Sequence, residues 1–206
     1  MSDKFATLPE KSFVEETIAA LEKNNISAEF VMTSEEAKEK VLSLIPEGSE
    51  VMNMSSVTLD TIGVSEAIMD SGKYTAVKKE LMGMDREKDN HKMQQLGAAP
   101  IYAVGSVQAV TTDGKVVIAS NTGSQLPSYA YGSAHVILVV GIQKIVHNLD
   151  EAMKRIYEYV LPLESVRLNK QYNINTGSYV SKILIINREF TPKRLHLIFV
   201  NENLGF

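Results

Sequence analysis

The chain has 206 residues, 44% of them hydrophobic and 22% charged, and a formal net charge of −4 at pH 7. That length supports one sizeable core, and the lack of a basic tail or clustered Lys/Arg face speaks against nucleic acid, whose binding rests on phosphate neutralisation. No cysteine is present, so these residues cannot build a disulfide, a thiolate nucleophile, or a cysteine-ligated zinc or iron–sulfur centre.

The N-terminal run MSDKFATLPEKSFVEE is charged and lacks the apolar core of a signal peptide. The longest apolar run, Val136–Ile142, falls far short of the roughly 20 residues that cross a bilayer. A cytoplasmic protein without membrane association is expected.

Residues 1–27 are expected to form a helical segment packed on the rest, because Phe13, Val14, Ile18 and Leu21 recur at helical spacing. Ala28–Met32 is short and β-prone. Thr33-Ser34-Glu35-Glu36 has the form of a capping box, opening a helix through Leu44. Pro46-Glu47-Gly48 is a turn, and Ser49–Met54 reads as a buried strand followed by the polar loop Ser55-Ser56-Val57-Thr58. Thr58–Met69 has helical character and stops at Ser71-Gly72. Tyr74–Val77 has the makings of a short strand, and residues 85–96 of a solvated helix.

Ile101–Thr111 and Lys115–Ser120 flank Asp113-Gly114, a strong hairpin signal. Val136–Val140 is apolar at every position, as in a strand buried on both faces of a parallel sheet. Asn148-Leu149-Asp150-Glu151 opens a helix through about Tyr159, and Pro162 begins another helical stretch. Lys182–Ile186 and Leu195–Val200 close the chain as apolar strands. Interleaved strands and helices predict one α/β domain over residues 1–206, three-layered, with a mostly parallel but mixed sheet.

Ligands of open α/β sheets bind beyond the carboxyl ends of the strands. Three loops leave apolar strands carrying small polar residues: Ser55, Ser56 and Thr58; Asn121, Thr122, Gly123, Ser124 and Gln125 after Ser120; and the run Gly141-Ile142-Gln143-Lys144. Hydroxyls and free backbone N–H groups favour an anion, glycine admits close approach, and Lys144 supplies a point charge. The same residue types also serve as caps and turns, and a lone lysine is commonly a surface residue. Tyr129 and Tyr131 either pack beneath the 121–125 loop or line it.

Other signatures are missing: no G-x-S-x-G, Walker loop, G-x-G-x-x-G or H-E-x-x-H occurs. His91, His135, His147 and His196 show no metal-ligand spacing. Asp85, Glu87 and Asp89 suit an exposed acidic face better than a catalytic pair.

The run GSVQAVTTDGKVVIASNTGSQLPSYAYGSAHVILVVGIQKIVHNLDEAMKRIYEYVLPLES resembles the LUD domain, the lactate-utilisation family. MNMSSVTLDTIG is similar to a loop of that family, and KILIINREFTPKRLHLIFVNENLGF looks like the end of its short single-domain members. The likeness is most specific at SNTGSQLP and VGIQKIV and weaker before residue 49.

The resemblance implies a fold like that of the sugar-phosphate isomerases and coenzyme-A transferases, the superfamily that includes glucosamine-6-phosphate deaminase and ribose-5-phosphate isomerase. It also implies a ligand site at the strand ends where the three loops lie. Some members act with iron–sulfur proteins in oxidising L-lactate to pyruvate. The cysteine clusters of larger members are missing here, so the chain needs no cofactor of its own and any iron–sulfur centre belongs to a partner. Coenzyme-A transferases use a glutamate nucleophile near such a loop. Asn121 stands in the corresponding loop here and cannot form an acyl anhydride.

Two functions are expected on these grounds. One is an accessory or regulatory component of lactate or organic-acid utilisation that binds a small carboxylate or phosphorylated metabolite, as a monomer or homodimer. The other is a stand-alone isomerase or hydrolase of a phosphorylated sugar or sugar acid, with Glu80, Asp85 or His135 as candidate bases.

Overall fold

The computed structural model describes residues 3–173 and 175–206. A 3-10 turn, Asp3–Ala6, precedes α1 (Lys11–Lys23), and residues 1–2 lie outside the described residues. The first half continues with β1 (Ser27–Val31), α2 (Ser34–Ser43), β2 (Glu50–Asn53), α3 (Val57–Thr61), α4 (Val64–Asp70), β3 (Thr75–Ala76), α5 (Val77–Met82) and α6 (Asn90–Ala98). The second half contains β4 (Tyr102–Gly105), β5 (Ala109–Thr111), β6 (Val116–Ser120), β7 (His135–Gly141), β8 (Ile145–Val146), α7 (Leu149–Arg155), α8 (Leu161–Tyr172), β9 (Lys182–Ile186) and β10 (Leu195–Val200). The π-helical turn Ile156–Val160 joins α7 to α8.

Six strands form an α/β sheet in the order β1-β10-β7-β4-β2-β3, and every pairing in it is parallel. The antiparallel pairings expected from the Asp113-Gly114 hairpin occur, but in a second sheet ordered β8-β5-β6-β9. The expected strand Ile101–Thr111 is thus two strands. Its first half, β4, joins the parallel sheet, and its second, β5, joins the small one. Ser106-Val107-Gln108 is the crossing between them.

Alternation sorts the central strands onto two cores. Val136, Leu138 and Val140 of β7, with Leu195, Leu197 and Phe199 of β10, face Val14 and Leu21 of α1 and Val110, Val116 and Ile145 of the second sheet. Ile137, Val139, Ile198 and Val200 face Ala37 and Val41 of α2 and Leu59, Val64 and Ile68 of α3 and α4. The far side of the small sheet is closed by Phe5, Ala152 and Ile156. Helices therefore cover both faces of the parallel sheet, with the small sheet added on one side. Among the described residues no helix is long and apolar enough to cross a membrane.

Both helix starts anticipated from capping boxes are capped. Thr33 Oγ1 accepts from Glu36 N–H at 3.2 Å, while the Glu36 carboxylate reaches back to Met32 N–H rather than to the cap residue. Asn148 Oδ1 accepts from Glu151 N–H at 3.0 Å. The stretch expected as one helix over Thr58–Met69 is broken at Gly63, whose φ of +69° opens α4.

The chain enters β10 through a buried corner. Arg194 pairs with Glu189 at 2.7 Å and donates to the carbonyls of Ser133 (2.9 Å), Ser128 (3.0 Å) and Tyr129 (3.0 Å). Removing the guanidinium would leave a carboxylate and three carbonyls without it. Arg194→Met is therefore expected to lower stability by about 3–5 kcal/mol, the usual loss when one partner of a buried pair is removed. Urea denaturation measures this, and a loss below about 1 kcal/mol would make the pair incidental to the fold.

Candidate functional site

The carboxyl ends of β2, β4, β7 and β10 point the same way, because the strands are parallel and adjacent. Each sends a different segment into the space beyond. After β2 comes α3, N-capped by Ser56 and carrying Thr58 in its first turn. After β4 comes Ser106. After β7 a 3-10 turn, Ile142–Lys144, swings the chain over to β8. After β10 comes the segment Asn201–Phe206.

These segments meet at Lys144, which is only 2% exposed. Its Nζ donates to Thr58 Oγ1 at 3.0 Å and to Ser106 Oγ at 3.1 Å. The two hydroxyls lie 3.3 Å apart. Thr58 Oγ1 in turn donates to the Leu204 carbonyl at 3.2 Å, and Gln143 Nε2 donates to the same carbonyl at 2.9 Å. Gly205, at φ +64°, packs so tightly here that a Cβ would lie 2.6 Å from Thr58 Oγ1 and 3.4 Å from Nζ. Gly141 is similarly confined: a Cβ there would meet Gln143 Oε1 at 2.2 Å.

No carboxylate pairs with Lys144 among the described residues. Taking an ammonium out of water without one is costly. Burial holds its pKa well below the usual lysine range, and the Arg155 charge lowers it further. Arg155 is itself fully buried, with Nη1 donating to the Gln108 carbonyl at 2.5 Å and the guanidinium 5.3 Å from the Tyr159 ring centre. Burial pushes it down to about 10, which still leaves it a cation at neutral pH.

Of the residues singled out in the sequence, Thr58 and Lys144 come together. Ser56 is occupied as the α3 cap, accepting from Leu59 N–H at 3.4 Å, and Ser55 is exposed. The loop Asn121–Gln125 spends its polar groups mostly on itself. Ser120 Oγ donates to Gln125 Oε1 at 2.9 Å and accepts from Gly123 N–H at 2.8 Å. Thr122 bonds Ser124 at 3.1 Å, Lys182 donates to the Thr122 carbonyl at 3.1 Å, and Ser181 meets Asn121 Oδ1 at 3.5 Å. No hydrogen bond among the described residues ties this loop to Lys144. Strand register nevertheless places both at one end of the small sheet, since Ser120 ends β6 and Lys144 precedes β8, on either side of the start of β5. Tyr129 packs inward with its hydroxyl against Gly105, whereas Tyr131 is 90% exposed.

The candidate bases stand elsewhere. His135 is exposed at the amino end of β7, about 20 Å of strand from Gly141, and stacks on Tyr102. Glu80 and Asp85 are exposed, the latter paired with Lys88. No group of three or more His, Cys, Asp or Glu side chains gathers to hold a metal among the described residues.

Sequence reasoning missed Ser106, Asn53, Arg155 and the Leu204-Gly205 backbone. Asn53 ends β2, is fully buried, and neither atom of its amide has a partner. A polar residue closing an apolar strand was its one visible signal.

The chain is thus an α/β protein with an open parallel sheet and polar side chains gathered beyond its carboxyl ends, the edge at which ligands of such sheets bind. A profile of the LUD domain matches residues 14–200, and the chain belongs to that family, which is associated with lactate utilisation. The fold is similar to the crystal structure of a DUF162 family protein from Deinococcus radiodurans, with a TM-score of 0.58, 8% identity, and coverage of 95% of this chain and 100% of that one. No curated protein matches the chain.

The lowered Lys144 pKa has a definite stability consequence. An unfolded lysine keeps its proton up to its ordinary value, whereas the folded one releases it at lower pH. Between the two, the unfolded state binds more protons, so stability rises with pH across that window, and the penalty is full below it. Lys144→Met keeps the stem and removes the charge. It is expected to raise stability at neutral pH by about 1–3 kcal/mol and to flatten the pH dependence within the window. Thermal melts across pH check this, and a loss of stability at neutral pH would mean that the hydroxyl bonds outweigh the burial.

Proposed function

We propose that the chain binds a small organic anion at Lys144, as an accessory or regulatory component of lactate or organic-acid utilisation. The observation that carries this is the buried Lys144 amine, paired with no carboxylate among the described residues and set among the hydroxyls of Thr58 and Ser106. An anion there supplies the missing counter-charge, and the hydroxyls orient its oxygens. Family membership supports the metabolic setting.

Ser106 is only half-buried, so the cluster has a route to solvent. Leu204 and Gly205 pack beside the amine, where a Cβ on Gly205 would lie 3.4 Å from Nζ. On this reading Ser55, Ser56 and the Asn121–Gln125 loop form the approaches to the anion, and Thr58 and Lys144 touch it. With no cysteine in the chain, oxidation of the bound acid falls to an iron–sulfur partner, and this chain holds, delivers or senses it. A relationship to the sugar-phosphate isomerase and coenzyme-A transferase superfamily is part of the same proposal, supported by strand-end placement of the cluster.

Calorimetric titration with lactate, pyruvate and inorganic phosphate tests the reading. At least one is expected to bind the native protein, and none to bind Lys144→Met. Binding must also bring a proton to an amine whose pKa burial has lowered. The anion favours the charged form, so affinity is expected to fall as pH rises toward the ordinary lysine range, with proton uptake visible as a buffer-dependent heat. Equal binding by Lys144→Met, or affinity that climbs with pH, would refute the assignment.

A further inference from the structure

We infer that Arg155 is a second ligand-binding cation of the Lys144 site, and that the site takes a doubly charged oxyanion of the phosphate-monoester class. This rests on the proposed reading of Lys144 as an anion site.

Arg155 is fully buried, yet its Nε and one Nη have no partner, and among the described residues no carboxylate pairs with it. Its third nitrogen is held by the Gln108 carbonyl, while Lys144 is held by Ser106. Both cations are therefore anchored on the one crossing between β4 and β5. Ser106 and Gln108 are two residues apart, a span of at most about 7 Å, and the charge of Arg155 is felt at Lys144.

Charge balance selects the ligand. Once a bound anion has drawn a proton onto Lys144, two buried cations face it, and a monocarboxylate neutralises one and leaves the other uncompensated. A phosphate ester carries two charges on three oxygens, enough for the ammonium and for the planar N–H pair that a guanidinium offers side by side. The free Nε and Nη of Arg155 have this fork geometry. The tyrosine beneath the guanidinium, Tyr159, fixes its plane.

The test uses the full chain and four probes: inorganic sulfate, a dianion throughout the working range; inorganic phosphate; pyruvate; and lactate. Calorimetry is expected to rank sulfate and phosphate at least about tenfold above pyruvate and lactate, the worth of one further charge-assisted contact. Arg155→Gln retains a donor for the Gln108 carbonyl and removes the charge. With folding confirmed by circular dichroism, it is expected to lose about tenfold or more for sulfate and little for pyruvate. Arg155→Lys, which keeps the charge without the fork, is expected to fall between. Monocarboxylates binding as tightly as sulfate would overturn the inference while sparing the proposed function, as would a folded Arg155→Gln with unchanged sulfate affinity. Failure of all four probes, in the native protein as in Lys144→Met, would overturn the proposed function itself. Should Arg155→Gln not fold, the dianion-over-monoanion ranking in the native protein decides alone.

Discussion

A lysine amine enclosed by protein and paired with no carboxylate among the described residues is the constraint around which this fold is arranged. Such a group stays buried only where the rest of the structure holds it in place. Here the holding is done by chain crossings. Lys144 ends the short turn that carries the chain from β7 of the parallel sheet to β8 of the small sheet. Ser106 begins the crossing from β4 to β5. Two separate passages between the sheets thus converge on one nitrogen, and neither can shift without breaking strands that are almost wholly buried. The turn does not choose to bury Lys144; the apolar residues on either side, Ile142 and Ile145, require it.

Two sheets are joined at the end of β4. Its last residue, Gly105, is one where a side chain would collide with the Tyr129 hydroxyl. Beyond it the chain leaves the parallel sheet and β5 pairs in the small one. Tyr129 is held by the π-helical turn Ser128–Gly132, whose carbonyls are tied to Arg194 at the entry to β10. The buried Arg194–Glu189 corner and the Lys144 cluster therefore lie at opposite ends of the central strands but act on the same architecture. One fixes where β10 begins, and the other gathers in the Leu204-Gly205 backbone beyond its carboxyl end.

Much of the fold was legible because it obeys local rules. A run apolar at every position made β7 a strand covered on both sides, and Thr33 and Asn148 announced helix starts with side chains that do cap them. The break at Ser106 was not legible. A single serine inside Ile101–Thr111 reads as a face of one strand, and only the long-range pairings, of β4 in the parallel sheet and of β5 in the small one, show that the chain leaves the sheet there. The site was legible to a similar degree. Strand-end logic selected Thr58 and Lys144, which meet. It also selected the Asn121–Gln125 loop, where a dense polar sequence is satisfied by its own side chains and by Ser181 and Lys182. Polar composition marks a loop that needs partners; it does not say whether the partners are internal.

The polar atoms that internal bonding leaves over are more telling than those it consumes. Native interiors pair nearly all their buried polar atoms, and exceptions call for a reason. The unpaired buried side-chain atoms among the described residues belong to Asn53, Ser133, Gln143 and Arg155. Ser133 lies at the amino end of β7. Asn53 ends β2, Gln143 adjoins Lys144, and Arg155 reaches the crossing that holds Ser106. A random scatter of packing defects has no cause to favour one edge of one sheet. On the proposed reading, the unpaired donors of Asn53 and Arg155 would meet a ligand's oxygens, while Oδ1 of Asn53 and Oε1 of Gln143 would accept from it. The donors still free on Asn53 and Arg155, beside the buried Lys144 amine, give that edge a surplus of positive character that no carboxylate among the described residues neutralises.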